Sequence, residues 1–324
     1  MTKAVRIHET GGPEVLRFED FDPGSAGPGQ IRIRHTAVGV NYIDTYHRSG
    51  LYPLALPSGL GLEAAGVVEA VGEGVTRWKT GDRVAYGTGP LGAYSQAAVV
   101  AAERVVAIPA GVSDEAAAAL ILKGLTAWYL LRRTYRVRDG DTILFHAAAG
   151  GVGLLACQWA CHLGATVIGT VGSEPKAVLA RAHGCAHVID YNRENFARRV
   201  REITGGKGVP VVYDGVGKTT FDGSLDSLAP LGLMVSFGNA SGTPPPLDLL
   251  RLSFGGSLFI TRPTLMHYTA DPADLAEGAA ELFDLVAAGV IRVEIHQRFP
   301  LDEAAAAHRD LEARKTTGAT VLVP

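Results

Sequence analysis

Short Val- and Ile-rich runs broken by turn residues fill the first third of the chain. AVRIH, IRIRHTAVGV, AAGVVEAVG, DRVAYG, AYSQAAVV and RVVAIP are separated by Gly, Pro and Asp, and they predict a compact β domain. Near Val112 the pattern changes. SDEAAAALILKGLTAWYLLRR offers a Ser N-cap, acidic residues in the first turn and then helical apolar spacing. From about 139 to 262 strand-like and helix-like segments alternate. DTILFHA, ATVIGTV, HVIDY and VPVVYDGVG each precede a helical stretch, and GLMVSFG and GSLFITRP follow. Repeated βα units predict a parallel sheet with helices on both faces, an α/β class. After 263 come the helix DPADLAEGAAELFDLVAAG, the strand IRVEIHQRFP, the helix LDEAAAAHRDLEARK and the strand ATVLVP. These last strands suit the first domain. The pattern therefore predicts one domain from residues 1–122 and 263–324, with a second, 123–262, inserted between them.

Composition narrows the class. Two domains suit 324 residues, of which 47% are hydrophobic and 19% charged. The formal net charge of −3 gives no basic surface for nucleic acid or an anionic membrane. The opening MTKAVRIHETGGPE lacks a basic segment followed by an apolar core, so no signal peptide is expected, and no apolar run reaches membrane-spanning length. Three cysteines, Cys157, Cys161 and Cys185, point to a reducing, cytoplasmic compartment. Cys157 and Cys161 share a helix face without further ligands nearby, and no metal is expected.

The stretch HAAAGGVGLLACQWA, between a strand and a helix, carries the first chemical signal. Gly150, Gly151, Val152 and Gly153 form a nucleotide-binding turn. Gly150 lets the backbone approach a pyrophosphate, Gly153 lets helix and strand pack closely, and the helix N-terminus offers free N–H groups. Ala148 stands where a G-x-G-x-x-G frame has its first glycine, which costs little if its φ stays negative. The next strand, ATVIGTV, ends at Val171, Gly172 and Ser173, with Lys176 beyond. An NAD site wants a carboxylate there for the ribose hydroxyls. Here Ser173, Lys176 and Tyr191 are candidates to grip a 2′-phosphate, so the cofactor expected is NADPH.

AAAGGVG, GLEAAGVV at 61–68 and VNYIDTYHRSGLYP at 40–53, with VVYDGVG, MVSFGNASG and ITRP, resemble the zinc-independent quinone oxidoreductases. These are the zeta-crystallin-like group of the medium-chain dehydrogenase/reductase superfamily, and the likeness runs along essentially the whole chain. It implies a GroES-like β-rich catalytic domain, a Rossmann-type doubly wound parallel-sheet domain, an active cleft between them and a homodimer. Zinc-dependent relatives have a Cys matching Asn41 and a His within G-H-E, which here reads Gly61-Leu62-Glu63; leucine cannot ligate zinc. The lobe that holds structural zinc in those relatives has no cysteine here.

The resemblance also implies roles. Asn41, Tyr42 and Tyr46 line the cleft near the nicotinamide, and Tyr52 closes its mouth. Lys123, Thr126 and Tyr129 meet the cofactor. Val216, Phe237, Gly238 and Ser241 support it, and Gly172, Ser173, Lys176 and Tyr191 hold its adenosine end. Arg262 and Arg314 are further contacts. Each has a plainer reading: the tyrosines as aromatic core, Asn41 as a loop hydrogen bonder, Lys123 and Lys176 as solvated helix residues. Glu63 and Asp44 are expected to be structural. The histidines show no ligand spacing, and no general acid is assigned.

Three functions are compatible with this pattern. The first is NADPH-dependent reduction of a quinone by hydride transfer, which needs only modest hydrogen bonding at a resonance-stabilised oxygen. The second is reduction of activated C=C bonds in enals or enones. The third is RNA binding regulated by the cofactor, against which the net charge argues. The segment 256–263, an apolar edge strand, is expected to pair with its copy in a homodimer.

Overall fold

The structure, a computed structural model, describes residues 2–324. The chain divides into two compact units. One is formed by the chain up to Leu125 together with Thr269–Pro324, the other by Thr126–Tyr268.

The first unit is built on Gln30–Val40. Up to Ala37 its Ile31, Ile33, His35 and Ala37 are buried, while Arg32, Arg34 and Thr36 between them are half-buried or exposed. This is the two-residue period of a strand with one face on a core. Around it runs a seven-stranded sheet in the order Ile295–Pro300, Ala319–Val323, Gln30–Val40, Ala64–Val71, Arg83–Tyr86 and Val106–Ala107, with Ala97–Ala101 also paired to Gln30–Val40. The two strands from the chain's end thus extend the sheet of its beginning. Thr2–Ile7 lies between Arg17–Phe21 and Ser58–Gly59 in a second, smaller sheet. The core joins Ile31, Ile33, Val68, Val84 and Tyr94 to Leu301 and Leu322.

Two helices position chemistry in this unit. The first, α1 (Tyr42–Ser49), is not signalled by apolar periodicity. It opens on a reciprocal capping box between Asn41 and Asp44 and closes on Gly50, whose φ of 81° is left-handed. The second, α2 (Asp114–Tyr129), follows the predicted start, with Asp114 and Glu115 in its first turn. It runs on into a π-helical turn, Leu130–Thr134.

The second unit is a six-stranded sheet in the order Cys185–Asp190, Thr166–Val171, Thr142–Phe145, Val209–Asp214, Leu228–Ser236 and Phe259–Thr261. Every pairing in it is parallel. Strand order reverses between Thr142–Phe145 and Val209–Asp214, the switch point of a doubly wound sheet. Helix α3 (Gly151–His162) leaves the strand beside that point. Its buried core includes Leu144, Ile168, Val212 and Met234. The expected strand 256–263 is shorter than its apolar run, because Gly256 turns the chain at φ 112° and only Phe259–Thr261 pairs. Among the described residues no helix is long and apolar enough to cross a membrane.

Candidate functional site

The glycine turn lies at the switch point. Gly150 caps α3 from an extended conformation, and the first intrahelical bond runs from Leu154 N–H to Gly150 O. The N–H groups of Gly151, Val152 and Gly153 precede any helical acceptor and face forward from the positive end of the helix. A Cβ at Gly150 would meet only Ala147 O, at 3.2 Å, so one side of the turn is open to an incoming group. A Cβ at Gly153 would strike Ala147 O and lie 2.7 Å from Ala148 O, so this glycine makes the close packing possible. Ala148 is not left-handed; the left-handed residue is Ala147, at φ 53°. Ala148 is fully buried, and its methyl occupies space left by Gly169, where an added Cβ would come within 2.7 Å of it. The missing glycine at 148 is thus offset by one on the neighbouring strand. The turn fits a phosphate diester on its backbone donors.

At the end of Thr166–Val171, Gly172 and Ser173 are half-buried. Ser173 is the N-cap position of Glu174–Ala182, and Lys176 sits in that helix's first turn. Tyr191 lies over Gly172, since a Cβ there would be 2.6 Å from Tyr191 Oη. Asn192 Nδ2 donates to Gly172 O at 2.9 Å. Ser173, Lys176 and Tyr191 are therefore gathered at adjacent strand ends, and Asn192 joins them without having been anticipated.

Across the switch point, fully buried Asp214 fixes a third loop. Its Oδ1 accepts from Val216 N–H at 2.8 Å and from Gly217 N–H at 3.0 Å. Thr220 and Ser224 also donate to it. Ser224 is 3.0 Å from His146 Nε2, whose Nδ1 is 2.8 Å from Thr170 Oγ1. One buried network thus ties the ends of three strands, and burial holds His146 below the usual imidazole range despite the Asp214 charge. Ser241 N–H donates to Val216 O at 2.8 Å. Arg262 Nη1 donates to Gly238 O at 3.0 Å and to Ser236 O at 3.1 Å. Val216, Phe237, Gly238 and Ser241 are brought together on this rim, with Arg262 spent on its backbone. Thr126 is buried, and Tyr129 is 2% exposed with its ring stacked on Tyr268 at 4.6 Å.

In the first unit the centre is Glu63, 0% exposed. Its Oε2 accepts from Asn41 Nδ2 and from Lys123 Nζ, each at 2.8 Å, and its Oε1 from Leu122 N–H at 2.7 Å. Gly39 makes room for this carboxylate: an added Cβ would collide with Glu63 Oε2 and with Ala118 O. Asn41 N–H donates to Asp44 Oδ2 at 2.8 Å, as does Tyr94 Oη at 2.9 Å. Tyr94 Oη is 3.0 Å from His308 Nε2, and Arg48 Nη1 donates to His308 Nδ1 at 3.0 Å. Arg48 pairs with Glu312 at 2.6 Å. The chain of bonds requires a neutral His308 that accepts at Nδ1 and donates at Nε2. Burial, then the Arg48 charge, pushes its pKa down to about 3. Asp44 is the odd carboxyl, because Lys123 answers Glu63 and Arg48 answers Glu312. Burial raises its pKa to about 7 against the hydrogen bonds from Asn41 and Tyr94, and its Oδ1 has no partner.

Tyr42, Tyr46 and Tyr52 form a run of rings, with centroids 5.6 Å and 5.2 Å apart. Tyr42 and Tyr52 are half-buried, while Tyr46 is 7% exposed. Arg314 is exposed, left-handed at φ 58°, and its charge acts on Tyr42. The network through Tyr94, His308 and Arg48 gave no sequence signal, since His308 lies 260 positions from Arg48. Glu63 stood out in sequence only as a charge in apolar surroundings, and Asp44 was expected to be structural.

A β-rich unit of this order in one chain with a 3-2-1-4-5-6 parallel sheet that carries a glycine turn at its switch point defines a nucleotide-dependent dehydrogenase or reductase of the alcohol dehydrogenase type. Residues 27–110 match the model of the alcohol dehydrogenase GroES-like domain, and residues 151–281 that of the zinc-binding dehydrogenases. Over 325 residues the chain is 60% identical to a quinone oxidoreductase of Pseudomonas aeruginosa, covering 100% of each. It is 50% identical to a 2-haloacrylate reductase of a Burkholderia species, covering 100% of this chain and 99% of that protein. The crystal structure of Escherichia coli quinone oxidoreductase complexed with NADPH superimposes with a TM-score of 0.98 at 50% identity, over 99% of this chain and 100% of that one. The chain belongs to the quinone oxidoreductase family of the medium-chain dehydrogenase/reductase superfamily. Among its described residues no group of three or more His, Cys, Asp or Glu side chains is placed to hold a metal ion.

Proposed function

We propose that this chain is an NADPH-dependent quinone reductase. The observation that carries the reading is the open glycine turn at the switch point, with Ser173, Lys176 and Tyr191 at the neighbouring strand end in place of a carboxylate. When bound, NADPH supplies a hydride and its two electrons. Gly150, Gly151, Val152 and Gly153 hold the diphosphate. Gly172, Ser173, Lys176 and Tyr191 hold the adenosine end and its 2′-phosphate. Val216, Phe237, Gly238 and Ser241 line the nicotinamide end, with Thr126 and Tyr129 beside it. Arg262 stiffens that rim, and Arg314 is a further contact. Asn41, Tyr42, Tyr46 and Tyr52 receive the acceptor, whose flat ring suits a run of aromatic side chains. The unit up to Leu125 with Thr269–Pro324 is then the catalytic domain, and Thr126–Tyr268 the cofactor domain.

The 2-haloacrylate reductase at 50% identity favours a second reading, reduction of activated C=C bonds. Oxidation of NADPH and NADH by chelator-treated protein, with a 1,4-quinone and a 2-alkenal as acceptors, separates the two. Quinone turnover with NADPH is expected. Preference for the alkenal supports the second reading, and preference for NADH removes the assignment of the adenosine end.

The protein is a homodimer in this reading, and its place is the cytoplasm. Phe259–Thr261 ends the parallel sheet, and Leu249, Leu250, Phe254 and Phe259 nearby are 58–83% exposed, an apolar edge that a second copy covers. All three cysteines are free thiols, which suits a reducing compartment.

A further inference from the structure

Asn41 and Lys123 come from different elements, yet both donate to the same oxygen of Glu63 at 2.8 Å. They are therefore neighbours held in fixed orientation by one buried carboxylate. An ammonium has three N–H bonds and a carboxamide two. Glu63 takes one from each, and among the described residues no other acceptor is found for Lys123 Nζ or Asn41 Nδ2. Lys123 is 5% exposed and Asn41 6%. Nearly buried donors left unspent carry a desolvation cost unless a ligand meets them. A buried cation beside a neutral N–H donor is the arrangement that stabilises negative charge developing on an oxygen.

We propose that Lys123 and Asn41 form an oxyanion site for the carbonyl oxygen of the acceptor, and that Lys123 gives that oxygen its proton. Glu63 is the positioning residue of the pair. This rests on the quinone-reductase reading, and it assigns Lys123 to the substrate rather than to the cofactor. The balance is simple. The reductant's hydride, with its two electrons, forms a C–H bond at a ring carbon conjugated to the carbonyl, and a proton later leaves that carbon as the other oxygen gains one and the ring becomes aromatic. As the C=O π bond opens, the electron pair moves to oxygen. An O–H bond forms there while an N–H bond of Lys123 breaks. The neutral amine then recovers a proton from water. An enal or enone takes the same course, its enolate oxygen standing where the hydroquinone oxygen would.

The test uses 4-nitrophenol, whose ionised form mimics a hydroquinone anion and is read by its absorbance without turnover or cofactor. Bound to the wild-type protein, it is expected to ionise at lower pH than free in buffer. Lys123→Met alone strands the Glu63 carboxylate and risks misfolding. The double variant Lys123→Met/Glu63→Gln removes both charges. It is expected to melt as one cooperative transition, lose the nitrophenol shift, and lose about 10²-fold in kcat with a quinone. Lys123→Arg keeps the charge and the donors but cannot release a proton. It is expected to keep the shift within a few-fold yet lose rate and the solvent deuterium isotope effect. A folded double variant with unchanged nitrophenol ionisation and unchanged kcat overturns the proposal and leaves Lys123–Glu63 a structural ion pair. Absence of quinone turnover in the wild type, with the nitrophenol shift present and dependent on Lys123, sinks the quinone reading but not the oxyanion site.

Discussion

Tyr94 Oη donates to Asp44 Oδ2 at 2.9 Å, deep in the first unit, and leaves the other carboxyl oxygen unpartnered. The groups facing Asp44 are Asn41, Tyr94, Lys123 and Glu63, with His308 and Arg48 reached through Tyr94. Burial dominates and raises the pKa to about 7, against about 3.9 in an unfolded chain. The folded state therefore binds more protons between those values. Stability falls as pH rises from about 4 through about 7, and the penalty is complete above that. It is on the order of 4 kcal/mol at full extent. Buried neutral His35 and His308 act oppositely, costing stability as pH falls below about 6.5. Comparing wild type with Asp44→Asn cancels the histidines. The variant should gain relative stability from about pH 4 to about pH 7 in urea melts and level off above that. A difference independent of pH would mean that Asp44 stays ionised throughout.

Gly39 lies against the Glu63 carboxylate and the α2 backbone, leaving no space for a methyl group. Alanine there must push Glu63, and with it Asn41 and Lys123, or move the helix at Ala118. Overpacking of this kind costs about 1–3 kcal/mol. Gly39→Ala is expected to lower Tm and quinone kcat together while leaving the KM for NADPH within about two-fold, because the glycine turn belongs to the other unit. A normal kcat in this variant would show that Asn41 and Lys123 need not be held in their present positions.

How far these features could be read from sequence depends on the range of the interactions. The parallel sheet was legible because each βα unit carries its own period and its own turn residues over about thirty positions. The glycine turn was legible for the same reason, although its left-handed residue is Ala147 and the offset for Ala148 comes from Gly169 on another strand. Helix α1 carried a local signal, Asn41 and Asp44 at capping-box spacing, but eight residues with aromatic and polar faces gave no apolar stripe. The Glu63 hub was beyond reach, since its side-chain donors lie 22 and 60 positions away and no local pattern links either of them to Glu63. A charge inside GLEAAGVV shows only that some partner must exist.

At the proposed adenosine end, Ser173, Lys176 and Tyr191 are half-buried at adjacent strand ends, with Asn192 tying the loop through Gly172 O. A hydrogen bond from an ammonium to a phosphate contributes about 1.5–3 kcal/mol. Lys176→Ala should therefore lower kcat/KM with NADPH about 10- to 100-fold while changing that with NADH less than about three-fold, so the ratio between the two reports the contact. Equal losses with both cofactors would place Lys176 on a part they share.

The edge strand gives the last prediction. Phe259 is 59% exposed and Phe254 83%, in a segment where Leu233↔Phe259 is the first pair of the last parallel ladder and nothing among the described residues pairs beyond it. An unpaired edge with flanking aromatics is costly to leave in water and readily pairs with a copy of itself. Burying two phenylalanines from each copy contributes several kcal/mol, at about 25 cal/mol per Å². Phe254→Glu/Phe259→Lys should be monomeric by sedimentation velocity at concentrations where the wild type is dimeric, with Tm lowered and NADPH affinity retained, since neither residue is near the glycine turn or Lys176 along the chain. A wild type that sediments as a monomer at micromolar concentration removes the dimer and leaves the exposed edge to be covered by some other partner.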